Sequence, residues 1–158
     1  MAAIHLDMAW EGLALGKPDE AAALLKLADD GRLDEPARLD KRLLQCWALV
    51  EQGKAAEADT RLHAMESEPM QPAQARRRRE LLAEASLARK APEAAREVCG
   101  EAPDLLPWRL AAEAEELQKK GDRAAAEPRL GQVRALLAAR PDAPWLRRRV
   151  DRLLRERK

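Results

Sequence analysis

The chain has no Phe, Tyr or Asn, and its only aromatic residues are four Trp. With β-branched residues also scarce, it lacks the usual material of strands. Hydroxyl side chains are confined to Thr60, Ser67 and Ser86, and the only imidazoles are His5 and His63. Such a set forms no constellation for acid–base or covalent catalysis. There is no phosphate-cradling glycine loop, and no His, Cys and Asp cluster has ligand spacing. The expectation is therefore a non-catalytic protein without cofactor or metal. Cys46 and Cys99, the two cysteines, stand 53 residues apart and read as small buried apolar residues. No apolar run approaches the length of a membrane span. Asp7 and Glu11 interrupt the first apolar stretch, and no Lys or Arg precedes it. No secretory leader is read there, and a reducing, cytoplasmic setting without a membrane partner is expected.

What fills the space is Ala, Leu, Glu and Arg, all strong helix formers. An all-α protein is expected, in a single domain over the 158 residues. Arg outnumbers Lys 21 to 8, which suggests a GC-rich bacterial gene. The net charge is +1 but unevenly spread. Residues 1–31 carry two Lys against six Asp and Glu, and residues 107–158 carry fourteen Lys and Arg against eight Asp and Glu. A basic C-terminal half is either a solvated face or a surface for an acidic partner or nucleic acid.

One phrase recurs. Gly16-Lys17-Pro18-Asp19-Glu20-Ala21 is echoed by Gly53-Lys54-Ala55-Ala56-Glu57-Ala58, by Arg89-Lys90-Ala91-Pro92-Glu93-Ala94 and by Gly121-Asp122-Arg123-Ala124-Ala125-Ala126. Each copy lies between two amphipathic helical stretches and reads as the tight turn of a helix hairpin. The hairpins are expected over about 2–31, 34–67, 72–101 and 107–140, with a further helix at 144–156. Asp34 and Asp122 are N-cap candidates. Pro128 predicts a kink or break near residue 124.

In this repeated turn the chain resembles the tetratricopeptide repeat family. The best copy has Cys46, Gly53, Glu57-Ala58 and Leu62 in the family's roles, and another has Ala9, Gly16, Glu20-Ala21, Leu25 and Ala28. A third has Leu82, Glu93-Ala94 and Val98, with Arg89 where the Gly belongs; the fourth has Ala114, Gly121, Ala126 and Leu130. The spacing is 36 or 37 residues where the family has about 34. The resemblance implies a right-handed superhelical array of about four hairpins, with residues 144–156 as a C-terminal capping helix. It also implies a concave groove lined by the first helix of each hairpin. Anchored on the Glu-Ala positions, that groove would hold Trp10, Leu13, Trp47, Val50, Arg76, Arg79, Trp108, Arg148 and Arg152, joined by Leu6, Leu43, Ala83, Glu115, Lys119 and Trp145. The tryptophans read equally as core between hairpins.

The expected function is protein–protein recognition: a scaffold or adaptor that takes a peptide, acidic with apolar anchors, in its groove. The alternatives are a nucleic-acid-associated protein using the basic stretch from Arg147 to Lys158, and a self-associating module or homodimer. The four consecutive arginines Arg76 to Arg79 cannot share one face, because successive residues step about 100° around a helix.

Overall fold

The computed structural model describes residues 1–140 and 143–155. Among these residues there are nine α-helices, two short 3-10 turns and no strand. The helices are α1 (Ala2–Ala14), α2 (Pro18–Leu27), α3 (Glu35–Glu51), α4 (Ala55–Ala64), α5 (Pro72–Ala88), α6 (Pro92–Cys99), α7 (Leu106–Lys119), α8 (Arg123–Ala138) and α9 (Pro144–Arg155). Their starts follow local chemistry. Proline occupies the first or second position of α2, α3, α5, α6 and α7, where its missing N–H has no intrahelical partner to lose. The carboxylates of Asp34 and Asp122 accept the Ala37 and Ala125 amides and so cap α3 and α8. The expected break at Pro128 does not occur, and α8 runs unbroken from Arg123 to Ala138. Pro128 lacks the N–H that would reach the Ala124 carbonyl, and Ala124 is exposed, so water can take that acceptor.

The four hairpin turns share one geometry. In each, a residue with positive φ donates to the carbonyl three before it, and the next residue donates to the carbonyl five before itself. The pairs are Gly16 to Leu13 with Lys17 to Gly12, Gly53 to Val50 with Lys54 to Leu49, Lys90 to Leu87 with Ala91 to Ser86, and Gly121 to Gln118 with Asp122 to Leu117. This double bond closes a helix on a left-handed residue. The third turn therefore pivots on Lys90, at φ 60°, and not on Arg89. Counted from these pivots the repeat is regular. The residue seven before is small and buried (Ala9, Cys46, Ala83, Ala114), and so is the residue five after (Ala21, Ala58, Ala95, Ala126). Leu25, Leu62, Cys99 and Leu130 are buried nine after. In the third copy Ala83, Ala95 and Cys99 thus replace the expected Leu82, Ala94 and Val98. Aligning on Glu-Ala misplaced that copy by one residue, whereas Pro18 and Pro92, each two after its pivot, give the true match.

Within each hairpin the two helices pack together, and α1, α3, α5 and α7 also lie side by side, each touching the next. A second regularity joins successive hairpins. Twelve residues before the pivots of turns two, three and four stand Lys41, Arg78 and Arg109. Lys41 Nζ donates to the Ala28 carbonyl (2.7 Å), Arg78 Nε to Leu62 (2.6 Å) and Arg109 Nη1 to Gly100 (3.2 Å). Each basic side chain meets the carbonyl end of the preceding even-numbered helix, where free acceptors and the helix dipole favour a cation. The same position in the first hairpin is Ile4, which has no earlier helix to serve and is exposed.

Helix α9 is not confined to the last hairpin. Helix α9 packs on α8, yet its side chains also reach α1, α3, α5 and α7. The cause is chemical: Trp145 meets other indoles on that path, and two arginines meet carboxylates there. Residue 156, the expected end of this helix, lies outside the described residues.

Two substitutions test this reading. Arg78→Met keeps the aliphatic stem but removes the charged donor to Leu62, and is expected to cost about 1.5–3 kcal/mol in denaturant unfolding. Lys90→Gly relieves a left-handed residue and is expected to be neutral or to stabilise by up to about 1 kcal/mol, whereas Arg89→Gly, at the negative-φ residue that caps α5, should destabilise by about 0.5–1 kcal/mol. The opposite ranking would place the pivot at residue 89.

Candidate functional site

The odd-numbered helices share a face whose chemistry changes along the chain. Six residues before the pivots stand Trp10, Trp47, Glu84 and Glu115; ten before stand Leu6, Leu43, Glu80 and Ala111. The face is thus apolar and aromatic on α1 and α3, and carboxylate-bearing on α5 and α7. Glu80 is fully buried and Glu84 is 2% exposed. Buried carboxylates are costly unless a cation meets them.

Those cations come from α5 itself and from the C-terminal segment. Arg140, just after α8, donates to Glu80 at 2.9 Å, and Arg76 and Arg77 each approach Glu80 at 3.5 Å. Arg149 of α9 bridges Glu84 (2.9 Å) and Glu115 (3.3 Å). Burial by itself would lower the pKa of Arg149, but the two carboxylates outweigh it and hold the guanidinium above its ordinary value. Arg148 pairs with Glu51 at 2.9 Å and donates to the Ala14 and Leu13 carbonyls, closing the end of α1. For Glu80, burial prevails over Arg140, Arg77 and Arg76, and its pKa lies above the usual carboxylate value.

At the aromatic end Trp145 enters between α1 and α3. Its ring centroid lies 4.1 Å from that of Trp47 and 6.3 Å from that of Trp10, while Trp10 and Trp47 are 5.0 Å apart. All three pairs are edge-on, a favourable arrangement of ring quadrupoles. The Arg77 guanidinium lies 4.2 Å over Trp10 and 5.3 Å from Trp145. Among the described residues the buried indole N–H groups of Trp47 and Trp145 have no hydrogen-bond partner, so packing and ring electrostatics hold the cluster.

Helix α9 divides the face. On one side a recess of about 430 Å³ opens between the N-terminal halves of α1, α3 and α5, lined by Leu6, Asp7, Trp10, Asp40, Leu43 and Arg77 among others. On the other, about 390 Å³ lies between α9 and the C-terminal ends of α3 and α5, lined by Val50, Glu51, Glu84, Arg148 and Arg152 among others.

Among the residues singled out from sequence, Trp10, Trp47 and Trp145 meet in one cluster and Arg148 lies beside it. Leu13 is fully buried and Val50 nearly so, Val50 against the second recess. Arg76 borders the first recess, and Arg152 is exposed on the second. Trp108 is fully buried elsewhere, with the Arg140 guanidinium 5.3 Å from its ring. Arg79 turns away and donates to the Val98 and Cys99 carbonyls at the end of α6. Arg77, Glu80, Glu84 and Arg149 escaped the sequence reading; the first three follow once the third pivot is moved to Lys90. Cys46 and Cys99 are buried free thiols whose pKa burial raises to about 11, so they stay protonated at neutral pH. Among the described residues no cluster of His, Cys, Asp and Glu could hold a metal ion, and no helix is long and apolar enough to cross a membrane.

The raised pKa of Glu80 has a signed consequence. The folded protein holds this proton more tightly than the unfolded chain, so the residue lowers stability as pH rises from the ordinary carboxylate pKa through its folded pKa. Acidification through the same window restores that stability. Glu80→Gln has no proton to lose, and is expected to gain stability relative to wild type as pH rises. Denaturation midpoints of both proteins between about pH 4 and 8 check this, and a constant difference would show that Glu80 does not titrate there. No family model matches the chain, and neither a curated protein nor a solved structure matches it.

Proposed function

We propose that the chain is a non-catalytic scaffold, a tetratricopeptide-like superhelical array whose odd-helix face is a groove for a segment of another protein. The observation that carries this reading is the recess of about 430 Å³ between α1, α3 and α5. Its walls combine Leu6, Trp10, Leu43 and Trp47 with Asp7, Asp40, Arg76 and Arg77. A cavity of several hundred Å³ with apolar walls and a few polar groups suits anchored side chains of a peptide. Further support comes from the turn geometry, repeated at intervals of 37, 37 and 31 residues with small residues at fixed offsets. Helix α9, seated on the same face, is an example of the kind of element the face accepts. The nucleic-acid reading has less behind it, because Arg148 and Arg149 are engaged with carboxylates of the chain itself.

The test uses Ala3→Arg/Asp7→Arg, which obstructs the recess from two exposed positions without touching the core. Wild type and variant are used as bait in an extract of the source cell, after matching their thermal stability. The expected outcome is a partner retained by wild type and lost from the variant. Equal recovery of the same proteins by both would show that the recess is not the binding surface.

A further inference from the structure

The seat of α9 defines the chemistry that this face takes. Trp145, Arg148 and Arg149 stand at positions i, i+3 and i+4, one side of a helix. Their partners come from different hairpins: Trp10 and Leu13 from α1, Trp47 and Glu51 from α3, Glu84 from α5 and Glu115 from α7. Glu84, which is buried, and Glu115, which is partly buried, occupy the repeat position that α1 and α3 give to tryptophan, and Arg149 of α9 pairs with both. The sequence Trp, Trp, Glu, Glu along the face is the complement of a basic helix bearing an aromatic residue. Close backbone packing of α9 is on α8, and the odd-numbered helices hold it through side chains.

We propose that this face is a receptor for a basic amphipathic helix of another protein, with a large aromatic residue followed by arginines three and four positions on. Helix α9 is its built-in competitor. This presupposes that the face binds a protein segment, as proposed above. A tethered α9 enjoys a high effective concentration, so an incoming helix displaces it only by making contacts that α9 does not. The open recess beside Trp10 and Trp47 supplies them. A second copy of the chain exchanging its own α9 would gain none, which favours a foreign helix over a swapped dimer.

The experiment titrates a fluorescein-labelled synthetic peptide of residues 143–155 into two full-length proteins, wild type and Trp145→Ala/Arg148→Gln/Arg149→Gln, and follows anisotropy. Binding to the opened variant is expected to be tighter than to wild type by about tenfold or more, and to weaken with salt. An Arg148→Glu/Arg149→Glu peptide should not bind. If the folded variant binds neither peptide, or both alike, the proposal falls. If it prefers the acidic peptide, the face binds segments but the assigned charge is wrong. If the peptide never binds while the Ala3→Arg/Asp7→Arg variant still loses a partner, the recess reading stands alone. Should the opened variant fail to fold, hydrogen exchange on wild type decides. The α9 amides should exchange faster than those of α5, and faster still with excess peptide; equal protection that the peptide does not alter overturns the proposal. Light scattering on wild type is expected to give a monomer. A dimer that the opened variant dissolves would assign the face to a second copy and also overturn it.

Discussion

A helix ends in carbonyls that no later amide of its own can reach, and burying such an end is costly. Each even-numbered helix here meets a cation at that end, supplied by the odd-numbered helix that follows. Lys41, Arg78 and Arg109 do so at one repeat position, and Arg147 of α9 donates to the Leu137 carbonyl near the end of α8. With no Asn and few hydroxyl groups, long basic side chains are what the chain has for such work. They reach across a hairpin boundary, so the contact that closes one helix also sets the next against it. Together with the apolar packing between neighbouring hairpins, this link brings the odd-numbered helices into line on a common face.

That face changes character halfway, from indoles to carboxylates, and the change accounts for the placement of the C-terminal segment. Glu80 and Glu84 are a turn apart on α5 and both buried, which demands guanidinium groups close by. Arg140 and Arg149 answer from beyond the fourth hairpin. Arginine suits the task better than lysine, because its planar fork can serve two acceptors and lie over a ring as well. Arg149 bridges two carboxylates and Arg77 covers Trp10 while approaching Glu80. Two arginines of the basic C-terminal helix are thus turned inward.

Much of this was legible in the residues. Helix content, the positions of the turns, the caps at Asp34 and Asp122 and the divergence of Arg76 to Arg79 follow from local rules. So does the burial of Ala21, Ala58 and Leu62. The third hairpin resisted because its pivot is Lys90, a residue type that sequence rules do not place at positive φ, and the neighbouring Glu93-Ala94 offered a false anchor one residue early. That single slip exchanged Arg77, Glu80 and Glu84 for Arg76, Arg79 and Ala83. The route of α9 resisted for a different reason. Nothing within residues 144–155 states which surface will meet Trp145; the answer lies in Trp10, Trp47, Glu84 and Glu115, and it becomes readable only when the hairpins are already in register.

Arrays of stacked hairpins ordinarily have two loose ends, and their stability is close to a sum of neighbour terms. The bond from Arg148 to the Ala14 carbonyl spans 134 residues of chain and joins the first helix to the last. Such a contact closes the line of hairpins into a loop of interactions, so neither end can fray without breaking the tie. It also raises the mean sequence separation of the contacts, which slows folding relative to an open array of the same helices. While α9 is seated, the first helix and the last therefore come apart together, and release of α9 returns the two ends to independent motion.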